Sequence, residues 1–263
     1  MQLTGLNRLE INPTELCNRT CSFCPRSIPE LYPNRNLHMS LDTANLLKDQ
    51  LNDSNYKGWI GIIGRGEPFL HKNIYSLVSV FKDFKVEIIS NGDRIREGKV
   101  NLDRLIQSGL DKLILDCYDG DEQYKETEIL LKPYTSKLEV IIRNRPDTGE
   151  EDIRDKLGMS NRAGFFSKVE PISRPCFLPM YKGFVDWNGD VLLCCNDWLK
   201  LEKSYGNIHE THFKDLWKSS RYNNIRKDLL KGDRYKHKAC AGCDTDGCKT
   251  GQKEADLWSN YLV

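Results

Sequence analysis

The sequence predicts an α/β protein, in which a partial (β/α)6 TIM-like barrel over residues 1–165 is followed by a small cysteine-rich domain over residues 166–263. Short apolar runs alternate with segments whose apolar residues recur at helical spacing, which is typical of parallel β/α units. Unusual residues cluster directly after the apolar runs, where such proteins carry their functional loops. Six of the ten cysteines lie from residue 176 onward, after this alternation ends.

Five apolar runs predict the strands of the barrel. They lie at residues 9–12, 59–63, 86–89, 112–116 and 138–142. The segments between them carry helical stripes, and Ser40 marks the start of the first helix because a serine hydroxyl can cap a helix N-terminus. Five or six β/α repeats make an incomplete barrel, which leaves one lateral face open.

The composition excludes several classes of partner. Lys and Arg number 39 against 38 Asp and Glu, so the net charge of +1 gives no electrostatic reason to expect nucleic acid or an anionic membrane. No run approaches the roughly 18 apolar residues that span a bilayer, and the N-terminus lacks a signal-peptide pattern. We therefore expect a cytoplasmic, reducing location. Ten cysteines in such a compartment indicate metal ligands or reactive thiols rather than disulfides.

Three cysteines, Cys17, Cys21 and Cys24, lie within eight residues, directly after the first predicted strand. A loop this short can present three thiolates to one compact inorganic centre. Four thiolates ordinarily close an iron–sulfur cluster, so three leave one iron open for a substrate or cofactor. A structural zinc knuckle is the alternative interpretation.

The C-terminal cysteines predict a second metal site. The segment 183–193 predicts two strands joined by an Asn-Gly turn, and this hairpin would return Cys194 towards Cys176. Further on, Cys240 and Cys243 form a two-residue-spaced pair of the kind that binds metal. Four sulfurs make a closed shell for an iron–sulfur cluster or for zinc. Two cysteines, Cys195 and Cys248, are left over.

The sequence resembles the radical S-adenosylmethionine (radical SAM) superfamily. The resemblance begins at the three-cysteine loop, which has the aromatic Phe23 before its last cysteine. The stretch 64–68, Gly-Arg-Gly-Glu-Pro, resembles the superfamily's GGEP loop, with Arg65 interrupting the glycine pair, and Ser-Asn-Gly at 90–92 resembles its strand-end motif.

The order of the tail cysteines around Gly189 resembles the SPASM extension of this superfamily. Cys248 comes one residue early for a full SPASM domain and no later cysteine exists, so the shortened twitch form with one auxiliary cluster fits better. The likeness to small twitch dehydrogenases of aminocyclitols covers almost the whole chain.

This resemblance implies SAM and two 4Fe–4S clusters as cofactors. The first cluster would be held by Cys17, Cys21 and Cys24, and the auxiliary one by Cys176, Cys194, Cys240 and Cys243. In the superfamily the GGEP loop binds the amino group of SAM, and the strand-end motif lies near its ribose. The implied cofactor-binding residues are Phe23, Gly64, Arg65, Gly66, Glu67, Pro68, Ser90, Asn91, Gly92, Asp116, Ser160, Asn161 and Arg162.

The implied activity is that of an oxidoreductase. A 5′-deoxyadenosyl radical would take hydrogen from a carbinol carbon of a small polar substrate, which could be a sugar, an aminocyclitol or a related alcohol. Loss of the hydroxyl proton, and of one electron to the auxiliary cluster, would then leave a ketone. Flavodoxin or ferredoxin would supply the electron that cleaves SAM. Arg162 is expected to contact the SAM carboxylate or a substrate oxygen through its planar fork. Asp116 and Asp197 are candidate bases.

Three alternatives stay open. In an epimerase, Cys117 or Cys195 would return a hydrogen atom to the substrate radical, although a lone cysteine at a strand end is commonly a small buried apolar residue. A peptide-modifying enzyme is disfavoured because the barrel begins within ten residues of Met1, without room for a preceding peptide-recognition domain. The third alternative is a non-catalytic iron–sulfur or zinc-binding module.

Overall fold

A computed structural model describes residues 3–262 of the chain. One seven-stranded sheet runs through it in the order β5-β4-β3-β2-β1-β6-β7. The strands are β1 (Arg8–Ile11), β2 (Trp59–Ile62), β3 (Lys85–Ser90), β4 (Lys112–Cys117), β5 (Glu139–Asn144), β6 (Lys182–Val185) and β7 (Val191–Leu192).

The predicted α/β class is confirmed, since β1 to β6 are all parallel. Only β7 is antiparallel, and it pairs with β6 as the predicted hairpin. Gly189 forms the turn between them at φ +91°, a left-handed conformation that a residue with a Cβ rarely adopts. Most apolar side chains of β1 to β3 are fully buried, as expected for parallel strands covered on both faces; they are Leu9, Ile11, Ile60, Ile62, Val86 and Ile88.

Eleven α-helices lie between and after the strands. They are α1 (Leu41–Asp53), α2 (Ile74–Val80), α3 (Asp93–Arg96), α4 (Leu102–Gln107), α5 (Asp121–Leu131), α6 (Ile153–Lys156), α7 (Leu178–Tyr181), α8 (Phe213–Trp217), α9 (Ser220–Lys231), α10 (Lys238–Ala241) and α11 (Gln252–Tyr261) within residues 3–262. Ser40 caps α1 as predicted, because its hydroxyl accepts the Thr43 N–H at 3.0 Å. None of these described helices is long and apolar enough to cross a membrane.

The strand β6 lies beyond the predicted domain boundary at residue 165, yet it pairs with β1 along four residues, from Arg8 beside Lys182 to Ile11 beside Val185. The hairpin of the cysteine-rich region is therefore continuous with the barrel sheet. The division into residues 1–165 and 166–263 remains a prediction.

Arg226 on α9 is fully buried in an aromatic cage. Its guanidinium carbon lies 4.1, 4.0 and 3.9 Å from the ring centres of Trp217, Tyr222 and Trp258. The side chain donates to the carbonyl oxygens of Pro179 at 3.0 Å and Trp217 at 2.6 Å. Burial lowers its pKa to about 10, so it remains charged at neutral pH. This cation joins α7, α8, α9 and α11.

His71 is a buried histidine with both ring nitrogens occupied. Nε2 donates to the Met39 carbonyl oxygen at 2.8 Å, and Nδ1 accepts the N–H of Asn73 at 3.2 Å. Burial lowers the pKa of His71, because an imidazolium would be desolvated here and could no longer accept from Asn73.

Folding stability should therefore fall as the pH drops below the unfolded-state pKa of His71, about 6.5, because the unfolded chain then binds a proton that the folded chain refuses. We expect the wild-type protein to lose more unfolding free energy than His71→Gln between about pH 7.5 and 5.5. Urea unfolding followed by tryptophan fluorescence measures the difference. Identical pH dependences would contradict this assignment.

Candidate active site

A cavity of about 290 Å³ lies at the carboxyl ends of the parallel strands, where barrel proteins place their active sites. It brings together most of the residues predicted to form the site. Those that line it are Cys17, Cys21, Phe23, Cys24, Gly64, Arg65, Gly66, Glu67, Ser90, Asn91, Asp116, Arg162 and Cys195.

The three-cysteine loop forms one wall of this cavity. Asn34 holds its start from both sides, since the Asn34 amide oxygen accepts the Cys17 N–H and the amide nitrogen donates to the Cys17 carbonyl, each at 2.9 Å. Burial raises the pKa of the Cys17 thiol to about 11 and that of Cys21 to about 12. These thiols would become thiolates only beside compensating positive charge, which iron supplies.

The donor atoms of this loop favour a cluster. Three soft sulfur donors on one loop, facing one cavity, suit an iron–sulfur cluster.

Glu67 connects the two loops that follow β2 and β3. One carboxylate oxygen accepts the Ser90 hydroxyl at 2.7 Å and the Phe69 N–H at 3.0 Å, and the other accepts the Asn91 N–H at 2.9 Å. Burial nevertheless raises the pKa of Glu67 to about 7. A cationic ligand group beside this carboxyl would keep it ionised.

The glycines of the loop after β2 permit a close approach of backbones. A Cβ at Gly64, which has φ +82°, would overlap the Asn12 side chain. A Cβ at Gly66 would overlap the carbonyl oxygens of Thr14 and Leu16. The loop therefore lies directly against the segment that leads into the cysteines.

The other two acidic groups that line the cavity, Asp116 and Glu10, are paired with cations. Asp116 receives two hydrogen bonds from Arg143, at 2.6 and 2.7 Å. Glu10 forms ion pairs with Lys182 and Arg8, whose Nζ and Nε atoms lie 2.9 and 3.2 Å from its carboxylate oxygen Oε1. Although burial opposes it, these two cations hold the pKa of Glu10 below its usual range.

Two arginines of the cavity, Arg65 and Arg162, have no carboxylate partner among the described residues. Arg65 is only 2% exposed, and its Nη2 donates to the Asp197 carbonyl oxygen at 2.6 Å. Its Nε and Nη1 are buried without a hydrogen-bond partner within residues 3–262. Arg162 donates from Nη1 to the Asn196 side chain at 3.3 Å, and its buried Nε is likewise unpartnered there.

The four predicted ligands of the tail line a second, smaller cavity. Cys176, Cys194, Cys240 and Cys243 meet there. Burial raises the pKa of the Cys176 thiol to about 11, so this site also requires positive charge to hold thiolates. The leftover Cys248 does not line this cavity, and its thiol donates to the Pro175 carbonyl oxygen at 2.9 Å.

Cys117, a predicted hydrogen-atom donor, does not line the first cavity. Its buried thiol lies 3.5 Å from the Thr127 hydroxyl on α5, on the helical side of β4. Asp116 faces the cavity, so the next residue of a strand must face the other way. This geometry does not support catalysis by Cys117.

Ser160 and Asn161, predicted to bind the cofactor, lie outside the first cavity. Ser160 donates to the Asn196 side chain at 3.1 Å, while the Asn161 amide donates to the Gly242 carbonyl at 2.8 Å. Their contacts attach the loop to the cysteine-rich tail.

Two residues of the cofactor loops, Pro68 and Gly92, also stay outside the cavity lining. Pro68 opens a short 3₁₀ turn, and Gly92 takes φ +72°. Both positions shape the loops, and the structure places neither at the cavity surface.

Neither candidate base is free. Asp116 is held by Arg143, as described above. Asp197 lies outside the first cavity, and its carboxylate accepts the N–H groups of Leu201 and Glu202 at 2.8 and 3.0 Å.

Sequence reasoning missed several lining residues, including Glu10, Tyr118, Arg143, Phe184 and Trp198. Glu10 carried a usable signal, because a charged residue inside a buried parallel strand must face a polar interior. The others depend on strand register or on a distant loop.

Comparison with known families shows which class of protein this fold and site define. The model of the radical SAM superfamily matches residues 11–145, and that of the SPASM iron–sulfur cluster-binding domain matches residues 176–244. The chain belongs to the radical SAM superfamily. The predicted superfamily, the SPASM-type tail and the cofactor classes, SAM with two iron–sulfur clusters, are thereby confirmed.

Individual proteins are similar over nearly the whole chain. The S-adenosyl-L-methionine-dependent 2-deoxy-scyllo-inosamine dehydrogenase of Niallia circulans is 26% identical over 252 residues, which are 93% of this chain and 95% of that protein. The crystal structure of BtrN in complex with AdoMet and 2-DOIA superposes with a TM-score of 0.76 at 25% identity, covering 94% and 96% of the two chains.

A third similarity concerns the fold alone. Streptococcus suis SuiB bound to the precursor peptide SuiA has a TM-score of 0.61 at 16% identity, and the match covers 94% of this chain and 76% of SuiB.

Proposed function

We propose that this radical SAM enzyme oxidises a carbinol carbon of a small polar molecule, in the class of sugars, aminocyclitols and related alcohols. The observation that carries the proposal is that Cys194 and Cys195, which are adjacent in the chain, line different cavities. The first of these adjacent residues lines the tail cavity and the second lines the barrel cavity. A substrate in the barrel cavity would therefore lie beside the second metal site. The likeness to an inosamine dehydrogenase over 93% of the chain supports the same reaction.

The two cysteine sets fit the two clusters. We assign Cys17, Cys21 and Cys24 to the SAM-binding cluster, and the four cysteines that line the tail cavity to the auxiliary cluster. When bound, SAM and these clusters supply a 5′-deoxyadenosyl radical for hydrogen-atom abstraction and an acceptor for the second electron.

The protein residues would bind and orient the ligands. Glu67 offers a carboxylate to the SAM ammonium. Its hydrogen bonds to Ser90 and Asn91 hold the loop after β3 beside this site. Phe23 packs against Tyr118 with ring centres 5.2 Å apart, and both rings line the cavity. Glu10, kept ionised by its two cations, can accept a hydrogen bond from a substrate hydroxyl.

Isotope transfer tests the reaction class. The reconstituted protein, reduced under anaerobic conditions, should transfer deuterium from a carbinol position of its substrate into 5′-deoxyadenosine. Mass spectrometry of the nucleoside measures this, and an unreduced sample is the control. No 5′-deoxyadenosine in the presence of SAM and reductant would refute the proposal. The electron donor in the cell would be flavodoxin or ferredoxin, and either should replace the chemical reductant.

The auxiliary cluster is proposed as the electron acceptor, and Cys240→Ala tests it. We expect the variant to keep most of its SAM cleavage and to lose about tenfold or more of its oxidised product, because the second electron has no acceptor. Iron content and the EPR spectrum should show that one cluster is lost. Cys248→Ala is the matched control, since that thiol lies outside the tail cavity. Unchanged product in a Cys240→Ala protein that lacks the cluster would contradict the role.

A radical SAM epimerase is the second candidate, and the position of Cys195 in the barrel cavity favours it. A thiol there could return a hydrogen atom to a substrate radical. Cys195→Ala separates the two functions, because epimerisation would stop whereas oxidation would continue.

A further inference from the structure

We propose that the substrate carries an anionic oxygen group, a carboxylate or a phosphate, and that Arg65 binds it. This inference rests on the proposed function and specifies the substrate class within it. The Arg65 guanidinium is the specificity-determining group of the barrel cavity.

Arg65 is a buried cation whose hydrogen-bonding capacity is largely unused. It is 98% buried, and only Nη2 has a partner, the Asp197 carbonyl. Nε and Nη1 find no acceptor within residues 3–262. The buried Asp186 carboxylate is near enough for Arg65 to help hold its pKa below the usual range, but Asp186 bonds to Lys200 and Asn12 and leaves the Arg65 donors unpartnered. Buried donors without partners are costly, and most buried polar groups have partners. Because this side chain lines the cavity, a ligand can supply the missing acceptors.

The direction of the side chain separates Arg65 from the SAM-binding groups. Glu67, two residues later, turns towards Ser90, whereas the Arg65 guanidinium lies 5.2 Å from the ring centre of Phe184 and 5.9 Å from that of Trp198. Phe184 belongs to β6, and Trp198 follows Cys194 by four residues. Arg65 therefore points to the part of the cavity nearest the tail site, where the proposed substrate lies.

The remaining charges of the cavity favour an anion over an amine. Each of its three carboxylates is already bound: Asp116 by Arg143, Glu10 by Lys182 and Arg8, and Glu67 by three donors. A substrate ammonium would find only Glu67, which SAM would occupy.

Three arginines of the cavity, in contrast, have donors without a hydrogen-bond partner within residues 3–262: Arg26, Arg65 and Arg162. The Arg26 donor, Nη2, lies 3.5 Å from the Glu15 carboxylate, so Arg65 and Arg162 are the two without a carboxylate beside them. SAM contains one carboxylate, and Arg162 can bind it. Arg65 then remains for the substrate. The planar guanidinium pairs with carboxylate and phosphate through two parallel hydrogen bonds, so it selects this chemistry geometrically as well as by charge.

Binding to a matched panel of sugars tests the inference. The reconstituted protein with SAM and without reductant would be titrated calorimetrically with D-glucose, D-glucosamine, D-glucuronate and D-glucose 6-phosphate. We expect at least one anionic sugar to bind about ten- to hundredfold more tightly than D-glucose, the range of a charge-assisted hydrogen-bond pair. The glucuronate and phosphate titrations show which anion the cavity accepts. D-Glucosamine should bind no better than D-glucose.

Variants assign the preference to one side chain. Arg65→Met should abolish it and Arg65→Lys should keep part of it, since lysine retains the charge without the fork. Arg35→Met, which removes the same charge from an exposed position, should leave it unchanged. If the Arg65→Met protein does not fold, the wild-type titrations and the Arg65→Lys variant test the inference.

Two results would overturn the inference: a wild-type panel without anionic preference, or a preference that survives in folded Arg65→Met. Formation of 5′-deoxyadenosine by the same preparation after reduction is measured separately. If 5′-deoxyadenosine forms but no anionic sugar is preferred, this inference is rejected and the proposed function stands. If no 5′-deoxyadenosine forms, the proposed function is rejected.

Discussion

Replacing Cys24 by alanine is expected to reduce the formation of 5′-deoxyadenosine by about a thousandfold or more, because the loop then keeps only two of its three thiols. Two thiols cannot hold the cluster in the place of three. Chromatography of reduced reaction mixtures measures the nucleoside. Iron analysis should show that the tail cluster remains.

The matched control is Cys117→Ala, which removes a buried thiol on the helical side of β4. It should retain SAM cleavage within a few-fold of wild type. If Cys24→Ala still cleaved SAM at a comparable rate, or Cys117→Ala lost it while folded, the assignment of the cluster to this loop would be wrong.

Replacing Arg226 by alanine should lower the free energy of unfolding by about 3–5 kcal/mol. The change removes hydrogen bonds to the Pro179 and Trp217 carbonyls and leaves a cavity among three aromatic rings. Denaturant unfolding, followed by tryptophan fluorescence, measures the loss because two of those rings are indoles.

Arg221→Ala tests whether this effect depends on burial. Arg221 lies on the same helix and stacks on Tyr205 at 4.6 Å, but it is exposed. We expect its replacement to cost less than about 1 kcal/mol. Equal losses for the two variants would show that the aromatic cage contributes little.

Local patterns predicted most of the barrel. The five strand runs fall within two residues of their observed ends, and Ser40 caps α1 as expected. Both features depend on neighbouring residues, namely apolar periodicity and capping chemistry, so they are readable from one sequence. The entry of β6 into the sheet was not predicted, because strand pairing between residues 8 and 182 is a long-range choice.

In the candidate site, too, local features were predicted and long-range ones were not. Cysteine spacing and glycine-rich turns are local, and they predicted the loops that line the cavity. The ion pair between Asp116 and Arg143 arises because β4 and β5 pair in a register that places these residues side by side. No local pattern encodes that register. For Cys117 the two interpretations could have been separated by the two-residue period of a strand, which places it opposite Asp116.

The ladder between β1 and β6 has a mechanical consequence. Both cysteine sets are anchored to this one pair of strands: the first loop follows β1, and Cys194 follows the hairpin that β6 begins. The four paired residues hold the strands that begin the two cysteine segments at a fixed separation, because sliding β1 against β6 would break backbone hydrogen bonds. Under the proposed function, the electron that passes from the substrate to the auxiliary cluster would therefore cross a fixed distance. Exchanging the tail for that of another enzyme would also replace β6, which is an interior strand of the sheet.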